Sequence, residues 1–260
     1  MSKLTIDIPA DGVATVTLDR PEVHNAFDDE LIAELMQAFR RLGADPAARV
    51  VVLRANGKSF SAGADLDWMQ RVARYSREQN VADAMALAEM LHALDACPKP
   101  TLALVQGPAY GGGVGLVAAC DIAVASDAAF FALTEVRLGL IPAVIGPYVI
   151  AAIGERACRR YFLTAERFSA ADAYRLGLVH QVVPTDRLAP VAGDLISRLR
   201  ECGACAQAAA KELIRDVARR PIDDAMVRDG AERIARQRAS AEGREGVAAF
   251  LEKRQPAWSG

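Results

Sequence analysis

Two turns made of small residues restrict the fold of this chain more than any other part of its sequence. The first turn spans 61–66 (SAGADL), and the second spans 111–115 (GGGVG), about fifty positions later. Each turn follows a short apolar run, at 50–53 and at 101–105, and each precedes a helical pattern. A strand, a turn and a helix that recur in this order predict an α/β core.

The two turns also indicate a chemistry, because adjacent turns can aim two backbone N–H groups at one oxygen atom. Gly112 lies at a predicted helix start, where the first N–H groups lack partners within the helix and the dipole favours an anion. Ala64 has the same position relative to the first turn. Two such donors form an oxyanion hole, which predicts an enzyme that acts on a carbonyl compound. The alternative is that small residues merely let a helix and a strand pack closely.

The remaining pattern predicts an α/β front half and a helical back half. Alternating residues at 4–8 and 13–18 predict a hairpin. Apolar residues at helical spacing predict a helix from Asp28, a suitable N-cap, to Leu42, with Gly43 as its stop. The other predicted elements are a helix at 77–94, strands at 101–105, 121–125 and 129–133, and helices from 148 onward with an interruption at 177–184.

Composition and charge exclude several classes of function. The formal net charge of the 260 residues is -2, without the excess of Lys and Arg typical of nucleic-acid-binding proteins. Cys202 and Cys205 form a pair in an alanine-rich stretch, but no second pair completes a zinc site. No apolar run approaches the ~20 residues of a membrane span, and the first residues lack the apolar core of a signal peptide. We therefore expect a cytoplasmic protein without a metal, nucleic-acid or membrane partner.

Two other glycine patterns resemble nucleotide-binding motifs, but each lacks residues that the motif requires. Residues 107–116 do not fit G-x-G-x-x-G, and no acidic residue follows at a strand end ~20 positions later. The tripeptide 57–59 (GKS) resembles the end of a phosphate-binding loop, but Val52 stands where that loop requires a glycine. Asp65 and Asp67 lack a further ligand at metal-binding spacing.

Glu135 is the candidate for moving a proton. It follows the apolar run 129–133 and precedes a second apolar stretch. A carboxylate in such surroundings is paired, solvated or functional, and burial raises its pKa toward the range useful for proton transfer. The alternative is an ion pair with Arg137 or another arginine. The three histidines are interpreted as structural, because no Ser or Cys accompanies them in a nucleophile turn: His24, His92 and His180.

An ordered set of motifs along almost the whole chain resembles the crotonase, or enoyl-CoA hydratase/isomerase, superfamily. The motifs are Arg20-Pro21 with Asn25-Ala26, 60–66 (FSAGADL), Lys99-Pro100, Gly107 with 111–113, Cys120-Asp121, 131–135 (FALTE), 138–142 (LGLIP) and the tail 250–254. The resemblance implies an α/β spiral of β-β-α units over 1–195, and a helical C-terminal region over 196–260 that builds a homotrimer or a homohexamer. It also implies an acyl-CoA substrate and no cofactor beyond the coenzyme A of that substrate.

The same resemblance implies a role for individual residues. The N–H groups of Ala64 and Gly112 would bind the thioester oxygen, and Glu135 would move a proton at Cα. Lys253 or Arg254 would approach the CoA phosphates of a neighbouring subunit. The implied CoA-binding residues are Ala62, Ala64, Asp65, Leu66, Asp67, Gly112 and Lys253.

One position departs from the pattern of the superfamily. Typical members carry two glutamates, and Gly115 stands where the first is expected. A single carboxylate suits a double-bond isomerase, which can remove and return the same proton. Residues 114–117 and 142–148 nevertheless resemble methylglutaconyl-CoA hydratase and related hydratases of branched, carboxylated enoyl-CoAs, which belong to leucine and acyclic terpene breakdown. Under this interpretation Gly115 leaves space for substrate, water or a side chain such as Tyr110.

Three hypotheses therefore remain for the function. The first is an enoyl-CoA hydratase, a lyase that adds water across the 2,3 double bond, with 3-methylglutaconyl-CoA as one such substrate. The second is a 3,2-enoyl-CoA isomerase with Glu135 as its single base. The third is a catalytically weak member that binds CoA esters or RNA. The candidates for lining the acyl pocket are Trp68, Met69, Tyr110, Ile141 and Val144.

Overall fold

The computed structural model describes residues 2–218 and 220–259, which fold into nine strands and ten α-helices. The strands are β1 (Leu4–Asp7), β2 (Val13–Leu18), β3 (Val50–Ala55), β4 (Thr101–Val105), β5 (Ala109–Tyr110), β6 (Ile122–Ser126), β7 (Phe130–Ala132), β8 (Phe168–Ser169) and β9 (Gln181–Val183). The helices are α1 (Asp29–Ala44), α2 (Leu66–Val72), α3 (Arg77–Asp95), α4 (Gly112–Ala119), α5 (Gly146–Thr164), α6 (Ala170–Leu176), α7 (Leu188–Arg200), α8 (Ala204–Val217), α9 (Asp224–Ala239) and α10 (Ala241–Glu252).

Six strands form the main sheet in the order β1-β2-β3-β4-β6-β9. β1 and β2 are the predicted antiparallel hairpin, and every later pair in this sheet is parallel. Helices cover both faces: Phe39 of α1 and Leu91 of α3 belong to the core on one side, and Leu188 and Ala192 of α7 belong to the core on the other. Burial on both faces explains why β3 and β4 are continuous apolar runs rather than alternating ones.

A second sheet of three strands, β5-β7-β8, carries the second turn. Its inner face is formed by Ala109, Phe131 and Phe168, all buried, and the two phenylalanine rings are stacked with their centroids 5.6 Å apart. A parallel bridge between Ser61 and Ala109 continues the pairing into the first turn. This sheet therefore connects the two turns, which lie about fifty positions apart in the sequence.

The C-terminal part of the chain is helical, as predicted. Among the residues that the structure describes, α8 and α9 contain no buried residue, and α10 contains only Ala249. Lys211 of α8 attaches this region to the core through an ion pair with Asp121 at 2.6 Å and a hydrogen bond to the carbonyl oxygen of Lys99 at 2.9 Å.

Several boundaries differ from the prediction for local physical reasons. α1 continues past Gly43 to Ala44 and is capped by Asp45. Gly43 is needed for packing instead, since a Cβ atom there would lie 3.1 Å from Pro98 Cδ. The strands β5 and β8 contain two residues each, too few for an alternation to reveal, and the interruption at 177–184 contains β9. No helix within the described residues is long and apolar enough to cross a membrane.

Asp28 begins α1 as predicted, and its charge has an expected effect on stability. Its Oδ1 accepts a hydrogen bond from the Leu31 N–H at 2.9 Å, and its carboxylate is paired with Lys3 and with Arg20. Burial opposes ionisation of Asp28, but the Lys3 ammonium, the Leu31 N–H and Arg20 outweigh it and lower its pKa. The native state therefore gains stability from the ionised form above the ordinary pKa of aspartate, and loses it as the pH falls through the lowered value.

We expect Asp28→Asn to lower the free energy of unfolding by about 2 kcal/mol at pH 7, since asparagine keeps the cap but not the charge. The difference from the unmodified protein should shrink below about pH 4, where the carboxyl is protonated in the unfolded chain. Urea unfolding at pH 7 and pH 3 measures both. Asp223→Asn, at the N-cap of α9, is the matched control, and an equal loss for both variants would contradict the role of the charge.

Candidate active site

The first turn is held in place by a polar network from the N-terminal third of the chain. Arg20 donates to Asp65 Oδ2 at 3.0 Å, and its other terminal nitrogen contacts Asp28 at 3.1 Å. Asp65 Oδ1 accepts from the N–H groups of Asp67 and Trp68, which makes Asp65 the N-cap of α2. Both carboxylate oxygens of Asp65 are thus engaged within the protein, where they fix the shape of the turn.

Asn25 completes this network from a fully buried position. Its amide nitrogen donates to the carbonyl oxygens of Asn56 and Ser59 at 2.8 and 2.9 Å, and its amide oxygen accepts from the Arg20 N–H at 2.8 Å. The Ser61 hydroxyl donates to the Asn25 carbonyl oxygen at 2.9 Å. In the sequence Arg20 and Asn25 stand out only as parts of a motif, whereas the structure shows that they position the first turn.

The two turns lie against each other. The Tyr110 N–H donates to the Ser61 carbonyl oxygen at 2.9 Å. A Cβ atom on Gly113 would lie 2.8 Å from Ser61 Cβ, and one on Gly63 would lie 3.2 Å from the Tyr110 carbonyl oxygen. Gly63 also has a φ of 84°. Glycine is therefore required in both turns for this approach, and the close-packing interpretation and the oxyanion interpretation of the sequence are compatible.

Ala64 and Gly112 each offer a backbone N–H group at this junction. Ala64 is exposed and Gly112 is half-buried. Within the described part of the chain, the Ala64 N–H has no hydrogen-bond acceptor. Gly112 is the first residue of α4, where helix geometry supplies no acceptor for its N–H. Both donors are thus available to an oxygen atom of a ligand, and their role as an oxyanion hole stays a prediction.

The carboxyl group of Glu135 lies beside the second turn. Glu135 begins a short 3₁₀ helix (Glu135–Leu138), separated from β7 by Leu133 and Thr134. Its Oε1 would be 3.1 Å from a Cβ atom on Gly111, and its Oε2 is buried without a hydrogen-bond partner in the described residues. Burial raises the pKa of this carboxyl group. In the part of the chain that the structure describes, Glu135 forms no ion pair with Arg137 or with another arginine, so the ion-pair alternative for Glu135 is wrong.

The position expected to hold a further glutamate is closed by an apolar side chain. A Cβ atom on Gly115 would overlap with Ile145 Cγ2 and would lie 3.6 Å from Leu91 Cδ1. Ile145 is 3 % exposed, at the N-cap of α5. The prediction that Gly115 leaves space for substrate, water or Tyr110 is therefore wrong, because Ile145 fills that space. The sequence contains no signal for this contact, which joins residues thirty positions apart.

Comparison with known proteins identifies the family. A family model described as Enoyl-CoA hydratase/isomerase matches residues 9–260. The chain belongs to this family. The predicted crotonase fold and the prediction of an enzyme are thereby confirmed.

Solved structures and sequence relatives are similar to this chain over almost its whole length. An enoyl-CoA hydratase from Shewanella pealeana is 46% identical, with a TM-score of 0.96 over 99% of this chain and 96% of that one. AtuE of Pseudomonas aeruginosa is 35% identical, with a TM-score of 0.95 over the whole of both chains. The crotonyl-CoA hydratase of Syntrophomonas wolfei is 30% identical over 93% of this chain and 92% of its own length.

The other residues predicted to line an acyl pocket in this family member divide into two groups. Trp68 is 8% exposed, and its indole N–H donates to Asp83 at 3.0 Å, so it belongs to the core. Val144 is also packed against the core. Ile141, in contrast, is 73% exposed. Leu66, which is predicted to bind CoA rather than the acyl chain, is 75% exposed. Further exposed apolar side chains follow Glu135 in the sequence: Leu138, Leu140 and Ile141.

Two surface cavities lie away from both turns. The larger, of about 630 Å³, is lined by Ile153, Arg156, Ala157, Arg159, Arg160, Tyr161 and Leu176. The smaller, of about 420 Å³, is lined by residues of α1 and α3. Within the described residues no group of His, Cys, Asp or Glu side chains is arranged to hold a metal.

The two cations predicted to approach CoA, Lys253 and Arg254, differ in whether they form an ion pair within the protein. Arg254 makes a two-point ion pair with Glu245, at 2.6 and 3.0 Å, and this pairing lowers the pKa of Glu245 to about 2. Lys253 is exposed at the end of α10 and has no ion pair in the described residues. The charge of Arg254 is therefore used within the protein, and Lys253 is the cation that this tail can offer to a ligand.

Proposed function

We propose that this protein is an enoyl-CoA hydratase that adds water across the 2,3 double bond of a branched or carboxylated enoyl-CoA such as 3-methylglutaconyl-CoA. One observation carries the proposal: the Glu135 carboxyl group, with a buried oxygen that has no partner, lies beside two turns that offer the N–H groups of Ala64 and Gly112. The similarity to relatives named as hydratases supports the same activity. The resemblance of residues 114–117 and 142–148 supports the substrate class.

The N–H groups of Ala64 and Gly112 bind the thioester oxygen in this proposal. As the oxygen of water adds to C3, negative charge develops on the thioester oxygen, and both donors bind that charge more strongly than the neutral carbonyl. The positive end of the α4 dipole adds to the effect. Removal of one oxyanion donor from an enzyme costs about 3–4 kcal/mol of transition-state stabilisation.

Glu135 has to serve as both base and acid, since Ile145 occupies the place of a second carboxylate. The ionised Glu135 takes one proton from the attacking water, and the oxygen of that water forms the bond to C3. The same carboxyl group then gives the proton to C2, where the electron pair of the enolate receives it. The proton count balances, because the product contains the water oxygen and both of its hydrogens.

A 3,2-enoyl-CoA isomerase is the second candidate, and the single carboxylate favours it. Glu135 would remove a proton from C2 of a 3-enoyl-CoA, the two N–H groups would hold the enolate, and Glu135 would return the proton to C4. Water takes no part in that reaction.

Incubation with a panel of thioesters in ¹⁸O-labelled water distinguishes the candidates. The panel contains 3-methylglutaconyl-CoA, crotonyl-CoA and a 3-enoyl-CoA, and mass spectrometry reads the products. A hydratase gives a product heavier by one labelled water, whereas an isomerase gives a product of unchanged mass. Tight acyl-CoA binding without any product would instead support a catalytically weak CoA-ester-binding member and overturn the proposal.

The remaining features of the proposal concern the ligand and the assembly. Ala62 to Asp67 would hold the adenine and pantetheine of CoA, and Lys253 would reach the phosphates of CoA in a neighbouring subunit of a homotrimer or homohexamer.

Exposed apolar residues on the C-terminal helices support such an assembly: Ile214, Val227, Phe250 and Leu251. We propose a cytoplasmic enzyme of leucine or acyclic terpene breakdown. Sedimentation equilibrium of the full chain tests the assembly, and a monomer would contradict it.

Gly112→Ala is expected to lower kcat about 100-fold, together with a loss of stability of about 1–3 kcal/mol from overpacking. The added methyl carbon would lie 2.6 Å from the ring of Phe27, which is 2% exposed and cannot easily move, so the turn has to shift and the Gly112 N–H with it. Steady-state kinetics measure the loss. Gly193→Ala is the control, because a Cβ atom there has nothing within 4 Å, and an equal effect of both substitutions would count against the oxyanion role.

A further inference from the structure

Arg167 lies directly before β8 of the three-stranded sheet, and its guanidinium is stacked on two aromatic rings. The Arg167 guanidinium lies 4.7 Å from the centroid of the Phe130 ring and 5.8 Å from that of Tyr110. The two rings are in edge-to-face contact, with centroids 5.6 Å apart and planes at 88°. Such stacking fixes the plane of a guanidinium while leaving its N–H groups exposed.

No carboxylate within the described residues forms an ion pair with Arg167, although acidic residues are close in sequence. Glu166 is used by Arg160, and Asp172 by Arg175. Arg167 itself is exposed. The five N–H donors of Arg167 can therefore bind an external anion, and no internal carboxylate has to be displaced first.

The strand pairing places this cation on the same side of the sheet as the first turn. Ser61, Ala109, Phe131 and Phe168 are paired neighbours on the inner face. Because side chains alternate along a strand, the residues next to them share the outer face: Ala62, Tyr110, Phe130 and Arg167. Tyr110 Cβ would lie 3.7 Å from a Cβ on Gly63. Contacts thus lead from Gly63, next to Ala64, through Tyr110 and Phe130 to the Arg167 guanidinium.

We propose that Arg167, held on the rings of Phe130 and Tyr110, binds an anionic group of the acyl-CoA substrate. This inference rests on the proposed function, which supplies the ligand. A planar guanidinium binds carboxylate and phosphate oxygens with two parallel hydrogen bonds. The anion is therefore either the carboxylate of a carboxylated acyl chain or a phosphate of coenzyme A. With the carboxylate as its ligand, Arg167 selects the substrate; with a phosphate, it anchors every CoA ester alike.

Arg167→Gln tests the inference in the full-length protein. We expect it to raise the KM for 3-methylglutaconyl-CoA about 10- to 100-fold, as the loss of charge-assisted hydrogen bonds requires, while kcat changes little. The KM for crotonyl-CoA and the affinity for free CoA, measured by calorimetry, identify the source of the anion. A rise confined to the carboxylated substrate assigns the acyl carboxylate, and an equal rise with weaker CoA binding assigns a phosphate.

Two further variants separate binding from packing. Arg167→Lys keeps the charge but not the planar fork, so it should restore binding only in part. Arg156→Gln removes an arginine that has no hydrogen bond or ion pair in the described residues, and should leave every constant unchanged. Unaltered KM values and unaltered CoA affinity in Arg167→Gln would overturn the inference. Failure of the proposed function would give a different result, because the unmodified protein would then form no product. The affinities for 3-methylglutaconyl-CoA, crotonyl-CoA and CoA, measured by calorimetry, would still decide the role of Arg167.

Discussion

Glu135→Gln should lower the turnover of the correct enoyl-CoA by about 10³-fold or more, while the affinity for the thioester changes little. The amide keeps the size of the side chain but neither takes a proton from water nor gives one to C2. General acid–base catalysis contributes about 10²- to 10⁴-fold, and the single carboxyl group carries both proton transfers here. Steady-state kinetics measure the turnover, and calorimetry with a saturated acyl-CoA measures the affinity.

The raised pKa of Glu135 also predicts how the rate and the stability depend on pH. Burial raises the pKa, so the acidic limb of kcat/KM should lie above about pH 4.3, the ordinary value of a glutamate. A raised folded-state pKa stabilises the native state below the unfolded pKa, and that contribution is lost as the pH rises through the folded value. Glu135→Gln should therefore be at least as stable as the unmodified protein at pH 7.

Glu155→Gln provides the control for both measurements. Glu155 is an exposed glutamate of α5 that forms a surface ion pair with Arg159, and its substitution should affect neither rate nor stability by a measurable amount. Undiminished turnover in Glu135→Gln would eliminate the proposed mechanism. A large loss of stability in the same variant would mean that Glu135 is structural rather than catalytic.

The features of the site that the sequence predicts correctly are those encoded locally. Asp28 caps α1 because an aspartate precedes an amphipathic run. A helix begins at Gly112 as predicted, although residues 112–115 of the predicted turn already belong to that helix. The order of the motifs also identifies the superfamily. The residues of these caps and motifs lie within about one turn of the end of a helix or strand, where residue types and their spacing predict the local structure.

The features that the sequence does not predict depend on contacts between distant segments. Gly43 matches a helix stop, but it lies against Pro98 instead. The two-residue strands β5 and β8 exist because the sheet aligns them, and neither contains enough residues for a periodicity. The stacking of Arg167 on Phe130 and Tyr110 likewise joins β5, β7 and the residue directly before β8. Strand pairing and packing between distant segments determine these features, and a local sequence pattern carries no information about either.

The contact between Gly115 and Ile145 yields the second prediction of large effect. Gly115→Glu should destabilise the protein by about 3 kcal/mol or more, because the new side chain overlaps with Ile145 and places an unpaired carboxylate in an apolar site. Urea unfolding measures the loss. Gly146→Ala is the matched control on the neighbouring segment, since a Cβ atom there would only contact Phe162 at 3.9 Å.

Removal of the obstructing side chain should reverse this loss in part. In the double variant Gly115→Glu with Ile145→Gly, the carboxylate gains the volume that the isoleucine occupied, so the two substitutions should be non-additive. Ile145→Gly alone should cost about 2–5 kcal/mol through the cavity that it leaves. A double variant less stable than the sum of the single changes predicts would contradict the direct contact between the two positions.

The same double variant tests whether one carboxylate limits the enzyme. A second carboxyl group beside Glu135 lets one group activate water while the other protonates C2, and we expect faster hydration of crotonyl-CoA than in the Ile145→Gly variant. The comparison with Ile145→Gly corrects for the loosened packing of α5 against α4. An equal rate in both variants would mean that the second carboxyl group does not reach the substrate, and that Ile145 shapes the acyl site rather than the proton transfer.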